Sequence, residues 1–103
     1  MKEKLTEMEK SEVKKILIEN ITYIKETFYV KEIGIFGSFV RGESGPKSDI
    51  DVLVEFKEGA NLLHLSGLSL FLEDKIHIPV DIVPIDTIKK DLKEDILREA
   101  IYI

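Results

Sequence analysis

Two short elements of the sequence carry residue types that can hold phosphate and a divalent metal together. Gly37 and Ser38 follow an apolar run, and after ten intervening residues Asp49 and Asp51 stand at alternate positions. Residues i and i+2 of a strand point the same way, about 6.5 to 7 Å apart at the backbone, so their carboxylates can converge on shared ions. Mg²⁺ takes such hard oxygen ligands, commonly one or two carboxylates together with substrate phosphates. The segment is therefore a candidate site for metal-bound phosphate.

A third carboxylate, Asp81, lies in another apolar run and is expected to point away from Val80 and Ile82. A two-metal site holds its ions about 3.5 to 4 Å apart and stabilises the attacking and leaving oxygens of an in-line displacement. Asp49, Asp51 and Asp81 are the predicted catalytic and metal-ligating set. The alternative is that these acids only keep a sheet edge soluble. Asp is depleted in strands, and adjacent like charges are destabilising unless neutralised, so we favour the metal site.

The Gly-Ser pair and the arginine after it are candidates for nucleotide binding. Backbone N–H groups of Gly37 and Ser38 can point at an anion where a strand ends, and glycine permits close approach. Taken alone, the pair is also typical of an ordinary tight turn, and only the distance to the aspartates favours the phosphate role. Arg41, one of two arginines in the chain, can meet a phosphate, or can pair with Glu43 or an aspartate and hold the loop.

Hydrophobic periodicity and turn residues predict the elements that position these side chains. In order, they are a helix that begins between Thr6 and Ser11 and ends near Phe28, a strand over 30–36, a turn or single helical turn over 38–42, a loop over 43–48, a strand over 49–56, a helix capped by Asn61 that runs to about Asp74, a strand over 78–83, and a last helix capped by Asp86.

This order predicts an α/β (α+β) fold with two layers, in which a small mixed sheet carries helices on one face. The second strand alternates, with Val52 on one side and the aspartates on the other. If the helices cover the face of Val52 and Val80, the three aspartates lie on or near the uncovered face. At 103 residues the chain is expected to form one domain, spanning residues 1–103.

Composition excludes several classes of function. A net charge of −5 opposes direct nucleic-acid binding, which depends on clustered Lys and Arg. The absence of cysteine excludes disulfides, thiolate metal sites and a cysteine nucleophile. The charged N-terminus is unlike a signal peptide, and no apolar run approaches the length of a membrane span. We therefore expect no membrane association and a cytoplasmic location.

The motif also resembles the signature of a known family. Gly37-Ser38, ten residues, then Asp49-Ile50-Asp51 is similar to the signature of the polymerase-beta-type nucleotidyltransferase superfamily. The wider runs FGSFVRGE and SDIDVLVEF, with the short length, resemble its minimal branch, the MNT proteins encoded beside HEPN-domain toxins. The resemblance implies that Asp49 and Asp51 bind Mg²⁺, with two ions expected, that Asp81 completes the site, and that the Gly-Ser pair contacts nucleotide phosphates.

The resemblance further implies an activity and a partner. The superfamily transfers a nucleoside monophosphate from a nucleoside triphosphate to a hydroxyl and releases pyrophosphate. For an MNT antitoxin the implied reaction is AMP transfer from ATP to a tyrosine of its HEPN toxin, which neutralises the toxin. We expect no additional acceptor-binding domain, which favours a protein acceptor. Two alternatives stay open: an antitoxin that neutralises its toxin by binding alone, and a nucleotidyltransferase that acts on a small molecule or RNA.

Overall fold

The computed structural model describes residues 10–41 and 49–103. Five helices, four strands and one 3₁₀ turn make up this part of the chain. They are α1 (Lys10–Glu19), α2 (Ile21–Thr27), β1 (Val30–Phe36), α3 (Ser38–Arg41), β2 (Ile50–Phe56), α4 (Leu62–Ile76), β3 (Val80–Pro84), the 3₁₀ turn (Ile85–Thr87), α5 (Lys90–Glu99) and β4 (Ile101–Tyr102). Among these helices, none has the length and hydropathy needed to span a membrane.

The strands form a mixed sheet in the order β3-β2-β1-β4. β1 pairs antiparallel with both β2 and β4, whereas β2 and β3 run parallel. The small mixed sheet predicted from the sequence is therefore confirmed. β4 was not predicted, because two residues are too short for alternation to be recognised. Gly34 permits its close approach, since a Cβ there would lie 2.8 Å from the carbonyl oxygen of Ile101.

The hydrophobic core lies between the sheet and the helices α1, α2 and α4. Its sheet side includes Val52 and Val80, the face that the sequence predicts to be covered. Its fully buried helical residues are Val13, Leu17, Ile24, Leu68 and Leu72. Leu53 is also fully buried, although strand alternation places it on the side of the aspartates. The face of the sheet that carries the aspartates is therefore partly covered, whereas the sequence predicts an uncovered face.

Helix boundaries differ from the prediction at two places within the described residues. The first predicted helix is two helices separated at Asn20, whose side-chain Nδ2 donates to the Ile16 carbonyl at 2.8 Å. Such local side-chain bonds compete with the helical ladder and leave hydrophobic periodicity unchanged. Asp86 lies in the 3₁₀ turn, and the N-cap of α5 is Lys89. The predicted start between Thr6 and Ser11 falls largely before Lys10, and the loop over 43–48 lies wholly outside the described residues.

The predicted cap of α4 is confirmed. Asn61 Oδ1 accepts hydrogen bonds from the backbone N–H groups of Leu63 at 2.9 Å and His64 at 3.3 Å. His64 Nδ1 accepts the Asn61 N–H at 3.0 Å in return. This reciprocal pair is a capping box, which satisfies N–H groups that a helix start otherwise leaves without partners. His64 is therefore a structural residue of the helix start.

Candidate active site

Sheet register brings two of the predicted acids side by side. Asp51 of β2 is the register partner of Asp81 of β3. Adjacent strands lie about 4.8 Å apart, and residues in register on them point to the same side of the sheet. Asp49 directly precedes β2 and is exposed, as is Asp81, whereas Asp51 is partly buried. Asp51 and Asp81 therefore lie side by side at the start of β2 and β3, and Asp49 lies at the same end of the sheet, two residues before Asp51.

The Gly-Ser turn meets these acids because β1 ends beside them. Phe36, the last residue of β1, pairs with Asp51, and Gly37 follows. Gly37 has φ +84, and a Cβ built on it would overlap the carboxylate oxygen of Asp51 and lie 3.1 Å from its Cγ. Only glycine adopts this backbone conformation readily and leaves room for the carboxylate. Ser38 then begins the single-turn helix α3, in which the Arg41 N–H donates to the Gly37 carbonyl at 3.1 Å.

The surroundings of Asp51 perturb its ionisation. Burial raises the pKa of Asp51 above its ordinary value, and the negative charges of Asp81 and Asp49 raise it further. The Arg41 guanidinium opposes this rise, while Glu99 adds a smaller contribution to it. Negative charge at this position is thus disfavoured in the protein alone. A bound cation would relieve it, so the electrostatics favour cation binding.

The donor set fits a divalent metal completed by substrate. No group of three or more His, Cys, Asp or Glu side chains is arranged to hold a metal within residues 10–41 and 49–103. Mg²⁺, however, is commonly held by only one or two carboxylates together with waters and substrate phosphates. Asp51 and Asp81 lie in register on adjacent strands, and Asp49 lies two residues from Asp51. The carboxylates present therefore suit a metal whose remaining ligands are waters or phosphate oxygens.

Glu99 is a site residue that sequence reasoning missed. The backbone N–H of Gly37 donates to Glu99 Oε2 at 2.7 Å. One guanidinium nitrogen of Arg41 lies 3.0 Å from Glu99 Oε1 and 2.9 Å from Oε2. Arg41 thus pairs with Glu99, an acid that the sequence alternatives did not name, while its charge also acts on Asp51. Glu43 lies outside the described residues. In the sequence Glu99 is one of several charged residues of the last helix. The one signal for its position is the apolar run 101–103, which could have indicated that a strand follows the helix.

Comparisons with known proteins place this geometry in a family. The nucleotidyltransferase domain family matches residues 11–103. Protein adenylyltransferase MntA of Thermococcus cleftensis is 39% identical over 92 residues, which cover 89% of this chain and 93% of the relative. A solved minimal nucleotidyltransferase is 34% identical, covers 91% of this chain and 95% of its own, and superposes with a TM-score of 0.75.

A more distant structure shares the fold. The complex of a tri-AMPylated Shewanella oneidensis HEPN toxin with its MNT antitoxin contains a chain that is 17% identical and superposes with a TM-score of 0.59. The match covers 85% of this chain and 69% of that one. At this identity the likeness concerns the fold alone. The family match over residues 11–103, together with the two closer similarities, shows that the chain belongs to the nucleotidyltransferase domain family.

Proposed function

We propose that this nucleotidyltransferase transfers AMP from ATP to a tyrosine hydroxyl of a cognate HEPN toxin, in a Mg²⁺-dependent reaction that neutralises the toxin. The observation that supports the site most directly is the register pair of Asp51 and Asp81 beside the Gly37 turn. Two of the similar proteins support a protein acceptor. The Thermococcus relative is named a protein adenylyltransferase, and the Shewanella complex of similar fold contains an AMPylated HEPN toxin with its MNT antitoxin.

In this proposal the aspartates bind the metal and handle the proton. Asp49 and Asp51 would hold two Mg²⁺ ions, and Asp81 would ligate one of them beside the attacking tyrosine hydroxyl. When bound, Mg²⁺ neutralises phosphate charge and lowers the pKa of the attacking hydroxyl. Asp81, which lies in register with Asp51, would also receive the hydroxyl proton as general base.

The turn would bind the rest of the triphosphate. The backbone N–H of Ser38 and the Arg41 guanidinium would contact the β- and γ-phosphates. Gly37, whose own N–H donates to Glu99, would contribute by letting the phosphates approach the turn closely. The tyrosine oxygen then forms a bond to the α-phosphorus, the bond from that phosphorus to the bridging oxygen of the β-phosphate breaks, and pyrophosphate leaves. Catalysis is mainly positioning and charge neutralisation, as in phosphoryl transfer generally.

A macromolecular acceptor suits the exposure of the site. Asp49 and Asp81 are exposed, so a tyrosine presented on another protein can approach them. The net charge of −5 disfavours an RNA acceptor because phosphate backbones would be repelled. We therefore favour a protein acceptor, and we propose that residues 1–103 act as one catalytic domain in the cytoplasm.

The test is a labelling experiment with the product of the adjacent gene, if that gene encodes a HEPN protein. The two proteins are incubated with Mg²⁺ and ATP labelled at the α-phosphate. The wild type is expected to label the partner, whereas Asp49→Ala/Asp51→Ala is expected to lose the label. Asp86→Ala/Asp91→Ala removes two exposed carboxylates elsewhere and should label normally. Equal labelling by the Asp49→Ala/Asp51→Ala variant would sink the proposal.

A binding-only antitoxin is the second candidate, and one surface favours it. Three leucines of α4 are exposed to solvent, with relative exposures of 78% for Leu62, 80% for Leu63 and 69% for Leu70. Exposed apolar patches on soluble proteins commonly mark binding surfaces. This candidate predicts that Asp49→Ala/Asp51→Ala still protects cells from the toxin. Loss of protection by a variant that is folded and binds the toxin would exclude it.

A further inference from the structure

We propose that Glu99 is a positioning residue that holds the Gly37–Arg41 turn in its nucleotide-binding arrangement. The inference rests on the proposed function, because it assigns the turn to the triphosphate. Its basis is that one carboxylate contacts both ends of the turn. Glu99 accepts the Gly37 N–H at 2.7 Å and lies 2.9 Å from the nearer guanidinium nitrogen of Arg41.

Main-chain hydrogen bonds fix Glu99 from both sides. It is the last residue of α5, where the Ala100 N–H donates to the Ile96 carbonyl at 3.0 Å. The chain then enters β4, in which Ile101 is the register partner of Ile35. A side chain whose backbone is held in this way needs little further ordering to make its contacts. The pairing of β4 with β1 therefore places the Glu99 carboxylate beside the turn.

Gly37 is consequently held at two points. Its Cα lies against the Asp51 carboxylate, where a Cβ would have no room, and its N–H is bound by Glu99. Loss of the Glu99 contact would let the turn move relative to Asp51. The distance between the turn and Asp51 sets the distance between phosphate and metal in the proposed reaction. Arg41 would lose its orientation at the same time. The ion pair is half exposed, with side-chain exposures of 46% and 30%, so its effect is expected to be local rather than on global stability.

A rival interpretation makes Glu99 a stand-in for phosphate that must leave before ATP binds. The two interpretations predict opposite changes when the carboxylate is removed. A positioning residue supports nucleotide binding and turnover, so its loss weakens both. A competing carboxylate blocks the donors, so its loss tightens nucleotide binding. The Michaelis constant for ATP and the dissociation constant for an analogue therefore separate them.

The first measurement needs no nucleotide. Amide hydrogen exchange at Gly37, followed by ¹⁵N NMR, is compared among the wild type, Glu99→Ala and Glu94→Gln. Glu94 lies on the same helix with its side chain 85% exposed, so it is a matched surface control. Exchange at Gly37 is expected to accelerate in Glu99→Ala alone. Unchanged exchange in Glu99→Ala would overturn the proposal.

The second measurement follows function in the same variants. Glu99→Ala is expected to lower kcat/KM for AMP transfer by roughly 10- to 100-fold, as small misplacements of binding groups do. Glu99→Gln keeps an oxygen for the Gly37 N–H and should recover part of that loss, while Glu94→Gln matches the wild type. Binding of AMP-PNP with Mg²⁺, measured by calorimetry, should weaken in parallel. Tighter binding in Glu99→Ala, or activity equal to the control, would overturn the positioning role.

The outcomes separate this inference from the proposed function. If the wild type binds AMP-PNP but labels no partner, the proposed function fails, and the binding constants alone decide the role of Glu99. If the wild type labels its partner and Glu99→Ala does so equally well, only the positioning role fails. A wild type that neither binds nor transfers nucleotide overturns both.

Discussion

At the scale of single residues, the contact between Gly37 and Asp51 joins the two halves of the sequence motif. The sequence predicts phosphate binding for the Gly-Ser pair and metal binding for the aspartates. The spacing between them along the chain is the reason for assigning them to one site. What periodicity could not supply is the direct contact, because it follows from β1 ending beside the start of β2. Glu99 escaped prediction for a related reason, since a contact across 62 positions leaves no local pattern.

The Gly37 contact predicts a clear result for Gly37→Ala. A left-handed backbone costs a non-glycine residue about 1 to 2 kcal/mol, and the new Cβ would also overlap the Asp51 carboxylate. We expect that loss of stability or more, with AMP transfer reduced at least about 100-fold because the turn must shift. Denaturant unfolding and the labelling assay measure the two effects.

Gly59→Ala is the matched control for this prediction. Gly59 also has a left-handed φ, +95, but the nearest atom to its Cβ would be a Tyr29 ring carbon at 3.5 Å. It should therefore show the backbone penalty without the loss of transfer. Equal activity in the two alanine variants would contradict the assigned contact.

The raised pKa of Asp51 predicts a pH-dependent stability difference. The ordinary pKa of Asp is 3.8, and the pKa of Asp51 is higher than this in the folded protein. Such a carboxyl stabilises the fold when the pH is below 3.8, and this stabilisation is lost as the pH rises through the raised pKa. In metal-free buffer at pH 7, Asp51→Asn should therefore have the higher melting temperature. The gap should close as the pH falls below the ordinary Asp range.

Mg²⁺ is the second variable in this experiment. It should raise the melting temperature of the wild type more than that of Asp51→Asn, because the variant lacks one of the carboxylates that would bind the ion. The exposed Asp86→Asn serves as the control and should change little. Identical pH profiles for the wild type and Asp51→Asn would argue against the electrostatic account.

At the scale of elements, short-range signals were predicted well. Strand β1 and the cap of α4 agree with the sequence because alternation and capping chemistry are local properties. The break at Asn20 and the 3₁₀ turn after Pro84 were missed, because each depends on a side-chain bond to a backbone carbonyl. Strand β4 was missed because its pairing with β1 alone defines it.

The capping box of α4 predicts that Asn61→Ala lowers stability by about 1 kcal/mol. The variant leaves the N–H groups of Leu63 and His64 without their side-chain acceptor. Chemical denaturation measures the change, and Ser66→Ala at an exposed position within the same helix is the control. The rate of AMP transfer should stay close to that of the wild type. A stability unchanged by Asn61→Ala would show that the cap does not contribute.

At the scale of the whole molecule, the fold class follows from the order of elements, and the site follows from topology. The parallel pairing of β2 with β3 places Asp51 beside Asp81, and the antiparallel pairing of β1 with β2 brings Gly37 to them. The sequence identifies the acids and the turn, whereas only the sheet order shows which of them meet. Asp49 and Asp81 are exposed, which leaves room for the proposed protein acceptor.

The central claim is AMP transfer by this acid cluster to a protein partner. Its most direct test is parallel incubation of the protein, Mg²⁺ and the adjacent HEPN protein with ATP labelled at either the α- or the γ-phosphate. The account predicts that the partner retains the α-label and not the γ-label, and that Asp49→Ala/Asp51→Ala abolishes labelling. Retention of the γ-label, or α-labelling that survives the double substitution, would contradict it.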